Sequence, residues 1–280
     1  MTKIKIIGNP GQEEKETAIK WLENSLKKLE IFEPEIYLAF VEDPQELVEV
    51  YKKHTKEFET LPPEKSSRWA EMIFGLFHPT AYLGDKNYRK EEVPPIIIVK
   101  KGEEISEYDF LDELAHLKEE KIGWYQIRVQ AINLLLHVYS GTEDLTWLSL
   151  ILWLKPKVVN FFSNEILCQY GLTNEVLRER EKTLKSWVES KRLFSNKLDN
   201  FTSLVVEPAF LTTLPPSYSK KADEKKLEKI VINHIRQIGM EAEYRKIKSI
   251  ILQLESKPSV INIFKTVGQI IELTQEFLEK

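Results

Sequence analysis

The chain has 280 residues, enough for one large domain or two modest ones, either with a sizeable core. Its composition is globular, 42% hydrophobic and 30% charged, and its 40 basic residues are interspersed with 44 acidic ones, so the net charge of -4 carries no positive field and nucleic acid is excluded as the expected partner. A single cysteine, Cys168, excludes an intrachain disulfide and any Cys-based zinc knuckle, and makes a reducing, cytoplasmic compartment the expected one.

The N-terminal stretch MTKIKIIGNPGQEEKE has no apolar signal core and reads as a strand, residues 3–8, followed by a turn. The turn GNPGQEEKET lacks the Gly-Lys-Ser/Thr ending of a phosphate loop, so it is read as a strand-to-helix connection. The next segment places Ala18, Trp21, Leu22, Leu26 and Leu29 at helical spacing. Residues 35–43 form a second strand, and Pro44 is well suited to open the helix PQELVEVYKKHTKEF. LPPEK breaks the chain before a helical SSRWAEMIFGLF, and TAYLGD and residues 94–102 are strands bounded by turn residues.

Beyond Gly102 the pattern is helical, over residues 106–120, 124–139, 143–154, 156–169 and 174–192, with Gly123 and Gly171 as C-terminal stops. The most apolar run, residues 145–162, is interrupted by Lys155, Pro156 and Lys157 before it reaches the ~20 residues of a membrane span, so it is expected to be a buried helix and no membrane is implied. Residues 201–222 contain Pro215 and Pro216 and little helical period, which predicts a linker or extended arm. Two helices, residues 223–254 and 259–279, close the chain. The expected class is α+β, a small N-terminal mixed sheet with helices followed by a mainly helical body, divided as residues 1–200, 201–222 and 223–280.

One stretch spells something close to a catalytic motif. EYDFLDELAHLKEEK, residues 107–121, centres on Asp-Glu-Leu-Ala-His, one residue away from His-Glu-x-x-His. Two side chains four apart on a helix face the same way and can share a metal ion, and the intervening Glu can act as base for a metal-bound water. Here Asp112 takes the first ligand position, Glu113 the base position and His116 the second ligand position. An Asp oxygen reaches zinc at about the distance of a His nitrogen, but it adds negative charge and weakens the Lewis acid. The same letters also fit an amphipathic surface helix. Phe110, Leu111, Leu114, Ala115 and Leu117 take one side, Asp112, Glu113, His116, Glu119 and Glu120 the other, and Asp112 and His116 are then an ordinary i,i+4 pair.

Downstream, Glu165 falls in the middle of an apolar stripe with Phe161, Cys168 and Leu172. A carboxylate there needs a metal, or a buried partner such as Arg128 or Tyr125. The order of elements from residue 36 to residue 172, with FLDELAHLKEE after the strand PPIIIVKK and Asn164-Glu165 on a later helix, resembles the zincin-like metallopeptidases of the compact gluzincin type. That resemblance implies a zincin-like fold and a zinc ion held by His116, Glu165 and, in place of the family's first histidine, Asp112. Glu113 would be the catalytic base and the substrate a peptide or protein. The missing histidine implies a degenerate site of weak or no activity. A reading of another class is a non-catalytic interaction protein whose helical body binds a protein partner.

Among other residues, His78 before Pro79 is expected in a turn, and His137 on an apolar helix is expected in a core. His54 and His234 lie among charges and are expected in solvent. Cys168 is expected as a buried thiol, and the segment SKKADEKKLEKI as a solvated helix start. The abundance of Lys and Glu has the flavour of a thermophile protein.

Overall fold

IYLAFV and IIIV are apolar at every position rather than at alternate ones, the pattern of strands covered on both faces. The computed structural model of the chain places them at the centre of its sheet. It describes residues 2–56, 62–76, 79–83, 90, 93–139, 145–190, 196–218 and 221–280. The chain divides into two units, Met1–Ile122 and Gly123–Lys280. The boundary therefore falls at the start of the helical body, well before residue 200.

The first unit contains β1 (Lys3–Ile7), α1 (Gln12–Lys28), β2 (Glu35–Val41), α2 (Pro44–His54), α3 (Pro63–Leu76), β3 (Thr80–Leu83), β4 (Ile96–Lys100) and α4 (Glu107–Lys121). The sheet order is β1-β2-β4-β3. β1 and β4 run parallel to β2, and β3 pairs antiparallel to β4 at the edge. Residues alternate across the pleat. Ala39, Val41, Ile96 and Ile98 pack with Leu47, Val48 and Val50 of α2 and Ala70 of α3. Leu38, Phe40, Ile97 and Val99 point the other way and are equally buried. Pro44 opens α2 as its sequence implies, and Asp43 caps it by accepting from the Glu46 N–H at 2.8 Å.

α4 lies against both α1 and β3. Its start is fixed by Asp109, whose Oδ2 accepts from the Ser106 N–H and hydroxyl at 2.6 and 2.7 Å. Its far end holds the end of α1: Lys118 Nζ donates to the carbonyls of Leu29 and Glu30 at 3.2 and 3.3 Å.

The second unit is helical: α5 (Trp124–Tyr139), α6 (Leu145–Gln169), α7 (Thr173–Ser190), α8 (Lys197–Phe201), α9 (Glu207–Thr212), α10 (Lys221–Gln237), α11 (Glu241–Ile251) and α12 (Val260–Leu278). A π-helical turn, Thr202–Val206, joins α8 to α9. The α+β class and its arrangement are as the sequence reading has them, but three local expectations differ. Pro156 lies inside one continuous helix, α6, instead of between two. The acceptor it leaves without a donor is the carbonyl of Leu152, on the exposed side, where the loss is least costly. Gly239 at φ +74° turns the chain out of α10, and the Met240 N–H closes back on the Ile235 carbonyl, so residues 223–254 form two helices.

The third difference concerns residues 201–222. They are not a linker: Phe201, Leu204, Val205, Val206, Ala209, Phe210 and Leu214 are buried. Between residues 201 and 212 only Ser203, Glu207 and Leu211 are half-exposed, a stripe too sparse to stand out from the buried positions, which is why the pattern read as irregular. Arg180 Nη1 holds its end, donating to the carbonyls of Phe210, Leu211 and Thr213.

Gly8 makes the turn after β1. Its φ is +87°, and a Cβ there would sit 2.4 Å from the Phe40 carbonyl oxygen. Gly8→Ala is expected to destabilise the chain by about 2–3 kcal/mol in a denaturant melt. The control Gly75→Ala, in α3 with no neighbour near its Cβ position, is expected to be neutral or slightly stabilising. Equal melts for Gly8→Ala and the wild type would contradict the close approach.

Candidate functional site on helix α4

α4 packs against both α1 and β3, and the polar side of its wheel is only partly in water: Asp112, His116 and Glu120 are half-buried. Glu119 is 0% and Glu113 9% exposed, so the simple surface-helix expectation is corrected. Asp112, Glu113, His116 and Glu119 form one cluster over two turns.

Glu113 faces the edge strand. Its Oε1 accepts from the Thr80 hydroxyl at 3.2 Å, and its carboxyl is also met by the Tyr82 backbone N–H. Burial pushes its pKa up to about 7. The neighbouring Asp112 adds to the rise, and His116, Thr80 and the Tyr82 N–H oppose it. The Tyr51 hydroxyl is also raised, first by burial and then by Glu113. Tyr82 reaches along α4 with its hydroxyl, 2.9 Å from Glu120 Oε2.

His116 points between acids. Nε2 is 3.9 Å from Asp112 Oδ2 and Nδ1 is 3.7 Å from Glu119 Oε2. These distances are too long for hydrogen bonds, and Nδ1 is shut off from solvent without one. The attraction is therefore between charges. Burial alone would lower the imidazole pKa. Glu119, Asp112 and Glu113 outweigh it and raise the group to about 9.

Glu165 belongs to the other unit, where its carboxylate has its own partners. Oε1 accepts from the Ser217 hydroxyl and from Gln169 Nε2 at 2.7 Å, and Oε2 accepts from the Ser217 N–H at 3.0 Å. It fastens the Pro215-Pro216-Ser217 turn to α6. The partner is a residue far along the chain and not Arg128 or Tyr125.

Asp112 and His116 bring two donors onto one face, but the Glu165 carboxylate has both oxygens engaged. Among the described residues no group of three or more His, Cys, Asp or Glu side chains is arranged to hold a metal ion. A zinc ion here would have to displace the charge attraction of His116 for Glu119 and Asp112.

No family profile, curated protein or solved structure matches this chain. Thr80, Tyr82 and Tyr51, which complete the α4 cluster, escaped the sequence reading. The available signal was the alternation in TAYL, which puts Thr80 and Tyr82 on one side of a strand.

Elsewhere, His54 is buried instead of solvated. It lies edge-on to Tyr37 with ring centroids 5.5 Å apart, and its pKa is lowered by burial and by Lys53, Lys90 and Lys5. His137 is exposed and not in a core, His234 is half-buried, and His78 lies outside the described residues. Cys168 is buried, and burial pushes its thiol up to about 12. Among the described residues no helix is long and apolar enough to cross a membrane.

Glu113 and His116 both hold a proton more tightly folded than unfolded. Stability therefore falls as pH rises, first from about 4.5 to 7 as Glu113 ionises and then from about 6.5 to 9 as His116 loses its proton. Denaturant melts across that range are expected to show a loss on the order of 3 kcal/mol for each group. Glu113→Gln should remove the lower part of the slope. A stability that is flat or rising over the range contradicts the cluster.

Proposed function

We propose that the chain is a zincin-like protein in which the metal site is degenerate and the base position has become a structural latch, so that it does not hydrolyse peptides. The observation that carries this reading is the position of Glu113. It sits where the Asp-Glu-x-x-His letters place a base, on a helix that directly follows β4. It is buried behind the edge strand, held by Thr80 and by the N–H of Tyr82. An edge strand with open N–H groups invites pairing with another chain, and a carboxyl that accepts one of them closes part of that edge. Asp112 and Glu119 support the reading, because they flank His116 and favour its protonated form, in which no lone pair is left for an ion. The partner implied, as for the family the motif resembles, is a protein or peptide.

The experiment is metal analysis of the purified chain joined to a casein hydrolysis assay. The expected result is zinc well below one equivalent and no hydrolysis above background, with Glu113→Gln indistinguishable from wild type. Glu165→Ala should cost about 2–3 kcal/mol of stability through the stranded Ser217 donors and leave metal content unchanged. Near-stoichiometric zinc that is lost in Glu165→Ala, together with hydrolysis abolished by Glu113→Gln, would overturn the proposal.

A further inference from the structure

The second unit contains a groove of about 580 Å³, a volume usual for small-molecule sites. Its walls carry Trp153 and Lys157 from α6, Trp187 from α7, Asp199 from α8, Glu207 from α9 and His234 from α10. One short segment fixes both indoles. In the π-helical turn the Glu207 N–H closes on the Thr202 carbonyl, five residues back. The next bond in that register would run from residue 208 to the Ser203 carbonyl, but Pro208 has no N–H to give. The Trp187 indole N–H fills the gap and donates to Ser203 O at 2.8 Å. Four residues after Ser203, Glu207 pairs with the Lys157 ammonium, which lies 5.0 Å from the centroid of the Trp153 ring. His234 stands edge-on to Trp187, with ring centroids 5.3 Å apart. The aromatic walls are therefore held in place by internal contacts before any ligand arrives.

Those same bonds restrict what the groove can take. Trp187 has already committed its N–H, so it can offer a ligand only its ring. Lys157 is answered by Glu207, and Asp199 adds a negative charge, so among the described residues lining the groove a phosphate or carboxylate would meet no uncompensated cation. A hydrocarbon chain would cover the Ser186 hydroxyl and the Asp199 carboxylate without satisfying them. A neutral ring with an apolar face and a rim of hydroxyls meets every condition: the face stacks on indole, and the rim bonds to Asp199, Ser186 and His234.

We propose that this groove is a saccharide-binding site, with Trp187 as the stacking platform and Asp199 as an acceptor for ring hydroxyls. The test is calorimetric titration of the full chain with maltotriose, cellotriose and triacetylchitotriose, and with adenosine as a neutral flat competitor of another class. Saturable binding of at least one trisaccharide in the millimolar range or tighter is expected. It should weaken tenfold or more in Trp187→Ala and severalfold in Asp199→Asn, which removes the charge but can still accept from Asn196 Nδ2, the donor that lies 2.6 Å from Asp199 Oδ2. No saturation by any trisaccharide, saturation by adenosine alone, or trisaccharide binding that Asp199→Asn leaves unchanged would each overturn the assignment.

Discussion

A helix pressed between α1 and the edge strand β3 must solve the problem of its own charge, and α4 solves it internally. Glu113 and Glu119 are taken out of water, and buried carboxylates are costly unless they are protonated, bonded or opposed by a cation. Glu113 tends toward the protonated state and bonds to β3, and His116 supplies the opposing cation. The rest of the first unit is arranged around that solution. α4 can then fasten the end of α1 through Lys118, and its inner face of Phe110, Leu111, Leu114 and Ala115 is buried.

The same arithmetic bears on metal chemistry. The residues that spell a near-catalytic motif are those that carry the charge attraction along α4. A divalent ion would compete with a proton for the His116 lone pair, because Glu119 and Asp112 favour the protonated imidazole. In the second unit Glu165 shows a parallel economy. A buried acid that from its neighbours alone looks like a ligand instead ties a proline-rich turn to α6 through Ser217.

Much of the fold was legible because its signals are local. The continuous apolar runs of β2 and β4, Pro44 after Asp43, and the helical spacing in α1 each depend on a few adjacent residues. The site was legible only in part. Asp112, Glu113 and His116 announce themselves by spacing, but the covering of their face by β3 is a tertiary fact. Residues 201–212 were misread because the half-exposed stripe of Ser203, Glu207 and Leu211 is too sparse to mark a helix among so many buried positions. Glu165 was recognised as an anomaly, but its partner lies far along the chain in a turn with no distinguishing letters. The π-helical turn shows the limit most plainly. Pro208 is visible in the sequence, and yet the acceptor it strands, and the Trp187 donor that reaches it, emerge only when α7 and α9 are packed together.

The central claim is that His116 is a half-buried cation held between the carboxylates of Asp112 and Glu119. It is most directly tested by following the His116 imidazole nitrogens by NMR across pH. The account predicts both nitrogens protonated at neutral pH and a titration midpoint near about 9. A midpoint at or below the ordinary 6.5, with one nitrogen deprotonated at neutral pH, would contradict it.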